Sequence, residues 1–372
     1  MDFELSDDQK AVRDLARGIL EKEVTVERLK QLERDGAWRD PALVATLADA
    51  GLLGLVVPAA HGGMGLGLPE ACLLLQELGR VAAPGAFLST LVGALALARD
   101  GTEAQQREWL PPIAAGDAEF GVALVDAGTS DPAAPAANAE RNGSAWILTG
   151  EKRWVAGADR ARRLLVPARA GGETRVFLVD PQAAGVRLAP HRLSTGEPVF
   201  TVTLAGAAVP DADALAAADA AARLHASTLA AICATQLGVS ERALDLTARY
   251  ARERIQFGVP IGSFQAVQHR LADCYIDLEA MRWTTWRAVE HVAEGRPAAR
   301  ACAVAKFWAA DGGARIAAAC QHLHGGIGVD LDYPIHRYFL HSKSLELALG
   351  GATPQLVRLG RDLAASGPAE LP

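Results

Sequence analysis

The sequence lacks the segments that would direct a protein into or across a membrane. The start, Met1-Asp2-Phe3-Glu4, has no basic region followed by an apolar run, so we expect no signal peptide. The longest apolar stretch, near residues 87–98, is too short to span a bilayer. The sequence also contains no low-complexity tail and no internal repeat. We therefore predict a protein without a membrane span.

Cysteine is scarce as well. There are five cysteines, an odd number, and no two of them have the Cys-x-x-Cys spacing of a metal site. Most of them lie in alanine-rich stretches of helical pattern, which favours small buried apolar residues over a redox or metal function. This usage is typical of a reducing compartment, so we expect a cytoplasmic protein. The five are Cys72, Cys233, Cys274, Cys302 and Cys320.

Positive charge is in deficit, because the 372 residues carry a formal net charge of −7. An acidic chain is a poor partner for nucleic acid or an anionic membrane surface, so we predict neither. A locally basic site for a phosphorylated ligand is still compatible with this balance. Half of the residues are apolar and 22% are charged, which is typical of a globular protein with two or three domains.

The periodicity of apolar residues divides the chain into three regions. Helical spacing, as at Val12, Ala16 and Ile19, predicts an N-terminal helical domain over residues 1–118. Short runs of β-branched and aromatic residues, with the turn signal Asn142-Gly143, predict a β domain over residues 119–215. Long helical patterns with short connections predict a helical bundle over residues 216–372. The predicted fold class is therefore α+β, in the order helical, β, helical.

Several segments, in this order and spacing, together resemble the acyl-CoA dehydrogenase family over nearly the whole chain. The most specific is Arg252–Ile261, with the letters RERIQFGVPI, followed by Phe264-Gln265. Any one of these segments alone could occur by chance. The others are Met1–Leu5, Gly51–Leu55, His61–Gly65, Gly150–Trp154, and His324–Gly328 with Tyr333-Pro334.

The resemblance implies an architecture and an activity. The implied fold has an N-terminal helical domain, a middle β-barrel-like domain and a C-terminal four-helix bundle. The implied reaction is the FAD-dependent α,β-desaturation of an acyl-CoA thioester, with the flavin between the β domain and the bundle and with each cofactor shared by two subunits. The implied partners are a second copy or a second acyl-CoA dehydrogenase-like chain, and electron-transfer flavoprotein is a candidate electron acceptor.

On the β domain the resemblance implies three positions at the flavin. Trp154 matches a tryptophan that packs beside the flavin ring, and an ordinary core tryptophan is the alternative. Ala156 stands where the family often has a hydroxyl that bonds the flavin near N5, and a backbone N–H can serve instead. Val125 stands where a threonine bonds the pyrimidine side of the flavin.

On the bundle the resemblance implies two segments at FAD, of which the first reaches it across a subunit interface. Arg254 matches an arginine on the pyrophosphate, for which its planar, permanently charged fork is suited, and Phe257 matches a phenylalanine on the cofactor. A surface ion pair with Glu253 is the alternative for Arg254. Gly325 and Gly326 match glycines that let the backbone approach the cofactor, and a helix C-cap would also explain them.

Three further residues of the bundle match cofactor contacts. His322 occupies the slot of a glutamine that contacts the adenosine half, while Gln321 lies one place away. Thr353 and Gln355 match a threonine and a glutamine that follow the catalytic loop, although helix capping alone would explain Thr353. The pair His322-x-His324 has no third ligand, so we predict no metal site.

The carboxylate that should remove the α-proton is missing from both places where the family keeps it. One place is the loop before the last helix. Counting forward from Gly326 puts the family's glutamate at Leu349, and counting back from Thr353 puts it at Gly351. The other place is the first helix of the bundle, at about Thr228. A weakly acidic thioester α-proton requires such a base, together with hydrogen bonds to the thioester oxygen. Glu346 is the nearest candidate, although a solvated helix face is its ordinary state.

Three hypotheses follow. The first is an acyl-CoA dehydrogenase-type oxidoreductase with a displaced base, for which Glu346 is the candidate. The second is a non-catalytic partner subunit of a heteromeric acyl-CoA dehydrogenase, whose second chain carries the glutamate. The third is a flavin-dependent monooxygenase on the same fold, which needs no α-proton base. Steroid, polyketide and fatty acyl groups all stay open as the acyl part of the substrate.

Overall fold

The structure, a computed structural model, describes residues 5–128 and 134–367. The described residues divide into two compact units. One unit takes in residues 7–74 and 84–228, and the other takes in residues 5–6, 75–83 and 229–367. The division falls within two helices, α4 (Leu68–Arg80) and α7 (Ala220–Glu253), whose label numbers follow chain order.

The first unit begins with helices whose ends follow from local sequence. The third helix begins at Pro41 because Asp40 caps it, with a carboxylate that accepts from the Ala42 N–H at 3.1 Å. The Arg28 guanidinium binds that carboxylate through two 2.7 Å bonds and lowers the pKa of Asp40. Besides the first part of α4, the helices are α1 (Asp7–Glu23), α2 (Val26–Arg34), α3 (Pro41–Asp49), α5 (Phe87–Asp100) and α6 (Glu103–Ala114).

An eight-stranded sheet completes this unit, and its inner face forms a hydrophobic core that includes Trp146, Phe177 and Phe200. The strands are β1 (Phe120–Val122), β2 (Val125–Asp126), β3 (Asn138–Asn142), β4 (Ala145–Ala156), β5 (Arg163–Ala170), β6 (Glu173–Val179), β7 (Val186–Arg192) and β8 (Pro198–Pro210). Their order is β1-β5-β3-β4-β8-β7, with β2 paired to β4 and β6 paired to β5. Strand β4 therefore holds β2, β3 and β8.

The second unit is a helical bundle. Long helices form because alanine and leucine dominate the buried faces, as at Leu237, Ala305 and Ile316. Besides the larger part of α7, the elements are α8 (Gln265–Ala293), α9 (Ala299–His324), α10 (Ile335–Leu347), α11 (Ala352–Ser366) and the short strands β9 (Ile255–Gln256) and β10 (Val259–Pro260). The predicted α+β class, with helices, then a sheet, then a helical domain, is confirmed.

Two expectations about the chain as a whole can be compared with the structure. All five cysteines are buried, as the sequence predicts. Among the helices of residues 5–128 and 134–367, none combines the length and the apolar character that a membrane span needs.

Candidate cofactor site

Trp154 lies on the surface of the sheet. A bulge in the pairing of β4 with β8 falls between Lys152 and Val155, and Trp154 takes a positive φ of 59° within it. The bulge turns the indole outward, so that 57% of the residue is exposed. The interpretation of Trp154 as a core tryptophan is therefore wrong, and Trp146 fills that role. A bulky residue with positive φ is strained, which is common where a side chain must face a ligand.

A buried ion pair lies next to this tryptophan in sequence, and sequence reasoning did not identify it. The Lys152 Nζ lies 2.7 Å from the Asp126 Oδ2, and both side chains are shielded from solvent. The Asp126 Oδ1 accepts from the Ala137 N–H at 2.9 Å. Burial lowers the pKa of Lys152, and the charge of Asp126 opposes that shift. The sequence contains both residues within recognisable motifs, but only the register of β2 on β4 brings them together.

The other two predicted flavin positions of the sheet are half-buried. Val125 begins β2 opposite Arg153, and Ala156 ends β4 opposite Val199. Both side chains are aliphatic, so neither can donate a hydrogen bond to a flavin. Any polar contact from these positions must come from backbone groups.

Phe257 is the most exposed large apolar residue of the described chain, at 93%. Strands β9 and β10 form a hairpin in which Gln256 pairs with Val259. The two residues between them, Phe257 and Gly258, have φ of 54° and 83°, as in a type I′ turn. The first position of such a turn favours asparagine or glycine, so a phenylalanine there is strained. Strain combined with full exposure indicates a ring that packs against something outside this chain.

Arg254 stands at the root of the same hairpin. Its N–H donates to the Tyr250 carbonyl at 2.8 Å, and its carbonyl accepts from the Ile261 N–H at 2.8 Å. The side chain is exposed, and within the described residues it forms no ion pair with Glu253. The surface ion pair proposed as the alternative is therefore not formed.

The turn at Gly325 and Gly326 ends α9. The N–H of Gly325 donates to the His322 carbonyl, so the predicted C-cap is present. Gly325 has φ 61° and ψ −139°, a conformation that requires glycine. A Cβ at Gly326 would meet nothing within 4 Å, so the chain itself has no need of that glycine. The open space leaves room for close approach by another molecule.

The histidines of this segment differ in environment. His322 is exposed, whereas His324 is buried with both ring nitrogens engaged, by the Cys320 carbonyl and by Tyr333. No metal-binding group of three side chains is found in the parts of the chain that the structure describes. Gln321, beside His322, has a buried Oε1 without a hydrogen-bond partner.

The loop in which the base is expected has a defined shape. Leu349 has φ 54° and Gly350 has φ 93°. The buried Lys306 Nζ donates to the carbonyls of Glu346 at 2.9 Å and Gly350 at 3.1 Å. The Gln355 Nε2 donates to the carbonyls of Leu349 at 3.1 Å and Gly350 at 3.3 Å. Burial lowers the pKa of Lys306 to about 8.

No carboxylate is free at the predicted base positions. Leu349 and Gly351 have no ionisable group, and the buried Thr228 hydroxyl donates to the Leu224 carbonyl at 2.6 Å. The Glu346 carboxylate forms an ion pair with Lys343 and accepts a hydrogen bond from its ammonium group. The candidate base is therefore already engaged.

Helix α11 starts at Ala352, two residues before the Pro354 start that Thr353 would give as an N-cap. Gly351 is the N-cap and makes no side-chain cap bond, and Thr353 lies exposed within the first turn. Capping therefore does not explain Thr353, and that alternative is wrong. Gln355 is 1% exposed, and its Oε1 has no partner.

These features fit a nucleotide cofactor. The orphaned carbonyl oxygens of Gln321 and Gln355 call for hydroxyl or amino donors, which the ribityl and adenosine parts of FAD supply. The exposed rings of Trp154 and Phe257 offer flat faces for stacking.

The exposed aromatic rings and the open glycine backbone fit a protein that binds a flavin nucleotide. The chain matches the acyl-CoA dehydrogenase N-terminal domain at residues 6–117, the middle domain at 125–202 and the C-terminal domain at 220–363. The chain belongs to the acyl-CoA dehydrogenase family, whose members bind FAD and act on CH–CH groups.

Two curated relatives come from Mycobacterium tuberculosis. Acyl-CoA dehydrogenase FadE27 is 40% identical, over 98% of this chain and 99% of its own length. Acyl-CoA dehydrogenase FadE28 is 34% identical, over 97% of this chain and 98% of its own length.

Two solved structures are similar along their whole length. The ChsE4–ChsE5 complex from Mycobacterium tuberculosis contains a chain of 39% identity with a TM-score of 0.94, covering 99% of this chain and 100% of that one. A variant of the Tcur3481–Tcur3483 steroid acyl-CoA dehydrogenase contains a chain of 43% identity with a TM-score of 0.91, covering 97% of this chain and 98% of that one.

Proposed function

We propose that this chain is the non-catalytic subunit of a heteromeric acyl-CoA dehydrogenase, whose second chain of the same family supplies the base. One observation carries the proposal: no carboxylate is available where the base belongs. Leu349 and Gly351 occupy the loop positions, and Thr228 on α7 is a buried hydroxyl bonded to its own helix.

Glu346 is a poor substitute. Its carboxylate is paired with Lys343, three residues earlier on α10, and its carbonyl is held by Lys306. The carboxylate would have to leave its ion pair with Lys343 before it could accept a proton from a substrate. A base for a thioester α-proton needs a free path to that proton.

Two of the similar structures support a heteromer. The names of the ChsE4–ChsE5 complex and of the Tcur3481–Tcur3483 enzyme each contain two components. The second is called a steroid acyl-CoA dehydrogenase, so we propose a steroid-derived acyl-CoA thioester as the substrate class. The exposed apolar tip of the hairpin supports a shared site, because Phe257, Ile255 and Val259 are exposed together on it, and contiguous apolar patches mark interaction sites.

Each predicted residue would then have a task in a shared FAD site. Arg254 would bind the pyrophosphate with its guanidinium, and Phe257 would pack on the nucleotide. Gly325 and Gly326 would let their backbone approach it closely. Trp154 would cover one side of a flavin ring and exclude water there. His322 would contact the adenosine half, and Thr353 and Gln355 would contact the cofactor beside the loop. Val125 and Ala156 would contribute backbone groups at the flavin.

The chemistry needs two acceptors, and this chain supplies neither. The α-proton would pass to the carboxylate of the second chain. When bound to this site, FAD would supply the acceptor for the hydride of the β carbon. This chain would bind and orient the cofactor. Loss of this chain would therefore abolish turnover even though the chain holds no base. Electron-transfer flavoprotein is our candidate for the next electron acceptor.

Purification of the chain alone and together with its second subunit tests the proposal. We expect little bound FAD and no acyl-CoA oxidation for the chain alone, and a yellow, active complex for the pair. Arg254→Ala should remove FAD from the complex, while Arg252→Ala, an exposed arginine two residues away, serves as the matched control. Yellow protein with full activity in the absence of any second chain would overturn the proposal.

The alternatives give other results in the same assay. A displaced base predicts acyl-CoA oxidation by this chain alone that is lost in Glu346→Gln. A monooxygenase predicts oxygen consumption driven by reduced flavin without acyl-CoA.

A further inference from the structure

Three aromatic side chains of the bundle lie together beneath the hairpin and the glycine turn. The ring of Tyr250 is stacked on the imidazole of His324, with centres 4.5 Å apart and planes 25° apart. Tyr333 lies 5.2 Å from the His324 ring and 6.3 Å from the Tyr250 ring. His324 is 3% exposed, so this cluster is an interior feature.

Hydrogen bonds fix the proton and the orientation of His324. Its Nδ1 lies 2.8 Å from the Cys320 carbonyl, which can only accept, so Nδ1 carries the proton. Its Nε2 then carries a lone pair and accepts a hydrogen bond from the Tyr333 hydroxyl at 3.3 Å. A neutral imidazole suits this site, because burial lowers the pKa of His324.

The cluster connects two segments that are far apart in sequence. Tyr250 lies in the last turn of α7, where its carbonyl accepts from the Arg254 N–H at 2.8 Å. His324 ends α9 and is followed directly by Gly325. The Tyr250 hydroxyl also reaches the His324 carbonyl at 3.5 Å. The stack therefore sets the separation between the hairpin root and the glycine turn.

We infer that His324 is a positioning residue that holds the hairpin of Arg254 and Phe257 at a fixed distance from the turn of Gly325 and Gly326. This inference rests on the proposed function, in which both segments contact one FAD. A nucleotide that is gripped at two places binds tightly only if their spacing is set in advance, because ordering them at the time of binding costs affinity.

The test compares His324→Asn with a matched control. Asparagine at this position can still donate to the Cys320 carbonyl, but it has neither the ring nor the second nitrogen. His291→Asn is the control, because the His291 Nδ1 also lies 3.1 Å from a backbone carbonyl, that of Pro297. Tyr333→Phe is the milder variant, which keeps the ring and removes only the hydroxyl donor.

Two measurements are made. The first is hydrogen exchange of the Ile261 amide, which donates to the Arg254 carbonyl, on the chain without FAD. We expect faster exchange in His324→Asn, a smaller change in Tyr333→Phe and none in His291→Asn. The second is a double-mutant cycle of His324→Asn with Arg254→Ala on FAD affinity of the complex. We expect each single change to weaken binding about tenfold and the pair to weaken it by much less than the product.

The outcomes separate this inference from the proposed function. Unchanged exchange of the Ile261 amide, or fully additive losses of FAD affinity, would overturn the positioning role. A wild-type complex that binds no FAD would overturn the proposed function instead. In that case the exchange result alone decides whether His324 holds the hairpin.

Discussion

The Lys152 Nζ lies 2.7 Å from the Asp126 Oδ2, and this ion pair joins β2 to β4 in the interior of the sheet. It joins the residue that follows Val125 on β2 to the residue two positions before Trp154 on β4, so both predicted flavin positions depend on it. Removal of one partner leaves a buried charge without compensation, which costs far more than the pair contributes as a whole.

We predict that Lys152→Met or Asp126→Ala lowers the free energy of unfolding by about 3–5 kcal/mol. Urea unfolding of the isolated chain measures it. The control is Arg153→Met, which breaks an exposed pair with Glu151 and should cost roughly 0–1 kcal/mol. Equal losses in the buried and exposed variants would contradict the assignment.

The hairpin tip allows a prediction in which stability and binding change in opposite directions. Phe257→Asn places a residue that tolerates positive φ before Gly258, which gives the favoured Asn-Gly pair of a type I′ turn. We expect the isolated chain to gain about 0.5–1 kcal/mol in unfolding free energy. The complex should lose FAD affinity at the same time, because the ring is gone. A gain in stability with unchanged affinity would mean that Phe257 does not touch the cofactor.

Lys306 should make the stability of the chain depend on alkaline pH. Its folded pKa is about 8, below the ordinary 10.5, so between these values the unfolded state holds more protons. The contribution of Lys306 to stability therefore rises as pH increases from about 8 to about 10.5, and it is flat below that window.

The measurement compares wild type with Lys306→Met. The comparison is needed because the neighbouring Cys233, whose pKa is raised to about 12 by burial, also titrates at high pH and is present in both proteins. The unfolding free energy of wild type minus that of Lys306→Met should increase with pH from about 8 to about 10.5. A difference independent of pH would show that Lys306 is not buried as a cation. The variant should also loosen the loop at Leu349, since two carbonyls lose their donor.

Trp154 should matter for the cofactor and little for the fold. Because 57% of it is exposed, Trp154→Ala should change the unfolding free energy by less than about 1 kcal/mol. We expect the flavin absorbance of the complex to shift or disappear, while Trp154→Phe retains it in part. Urea unfolding measures the change in stability, and fluorescence and absorbance titration with FAD measure the change in flavin binding. An unchanged flavin spectrum in Trp154→Ala would exclude contact with the ring.

The sequence predicts the larger features of this molecule because they depend on periodicity. Helical spacing in the first and last regions of the chain, and the β-branched runs around the turn at Asn142-Gly143 between them, predict the order of helices, sheet and helices. The resemblance implies a Trp154 that faces the flavin, but local pattern alone does not give its exposed state, because that state depends on a bulge in the pairing of β4 with β8. The cap interpretation of Thr353 is wrong, since helix boundaries are set by backbone geometry that one residue type does not fix.

Long-range pairings are the part of the candidate site that the sequence does not contain. Lys152 and Asp126 are 26 residues apart, and Lys306 is 44 residues from the Gly350 carbonyl that it holds. Nothing in local pattern links such residues, because they meet only through strand register and helix packing. The absent base, by contrast, was visible at Leu349 and Gly351, since an absence of carboxylates needs no geometry to detect.

The most direct test of the central claim removes one carboxylate from each of the two chains in turn. In the complex with its second subunit, Glu346→Gln in this chain should leave the rate of acyl-CoA oxidation within about twofold of wild type. Glutamine in place of the catalytic-loop glutamate of the second subunit should lower that rate by a factor on the order of 10² or more, because proton abstraction then lacks its base. The opposite result, with activity lost in Glu346→Gln and retained in the other variant, would contradict the assignment of this chain as the subunit without a base.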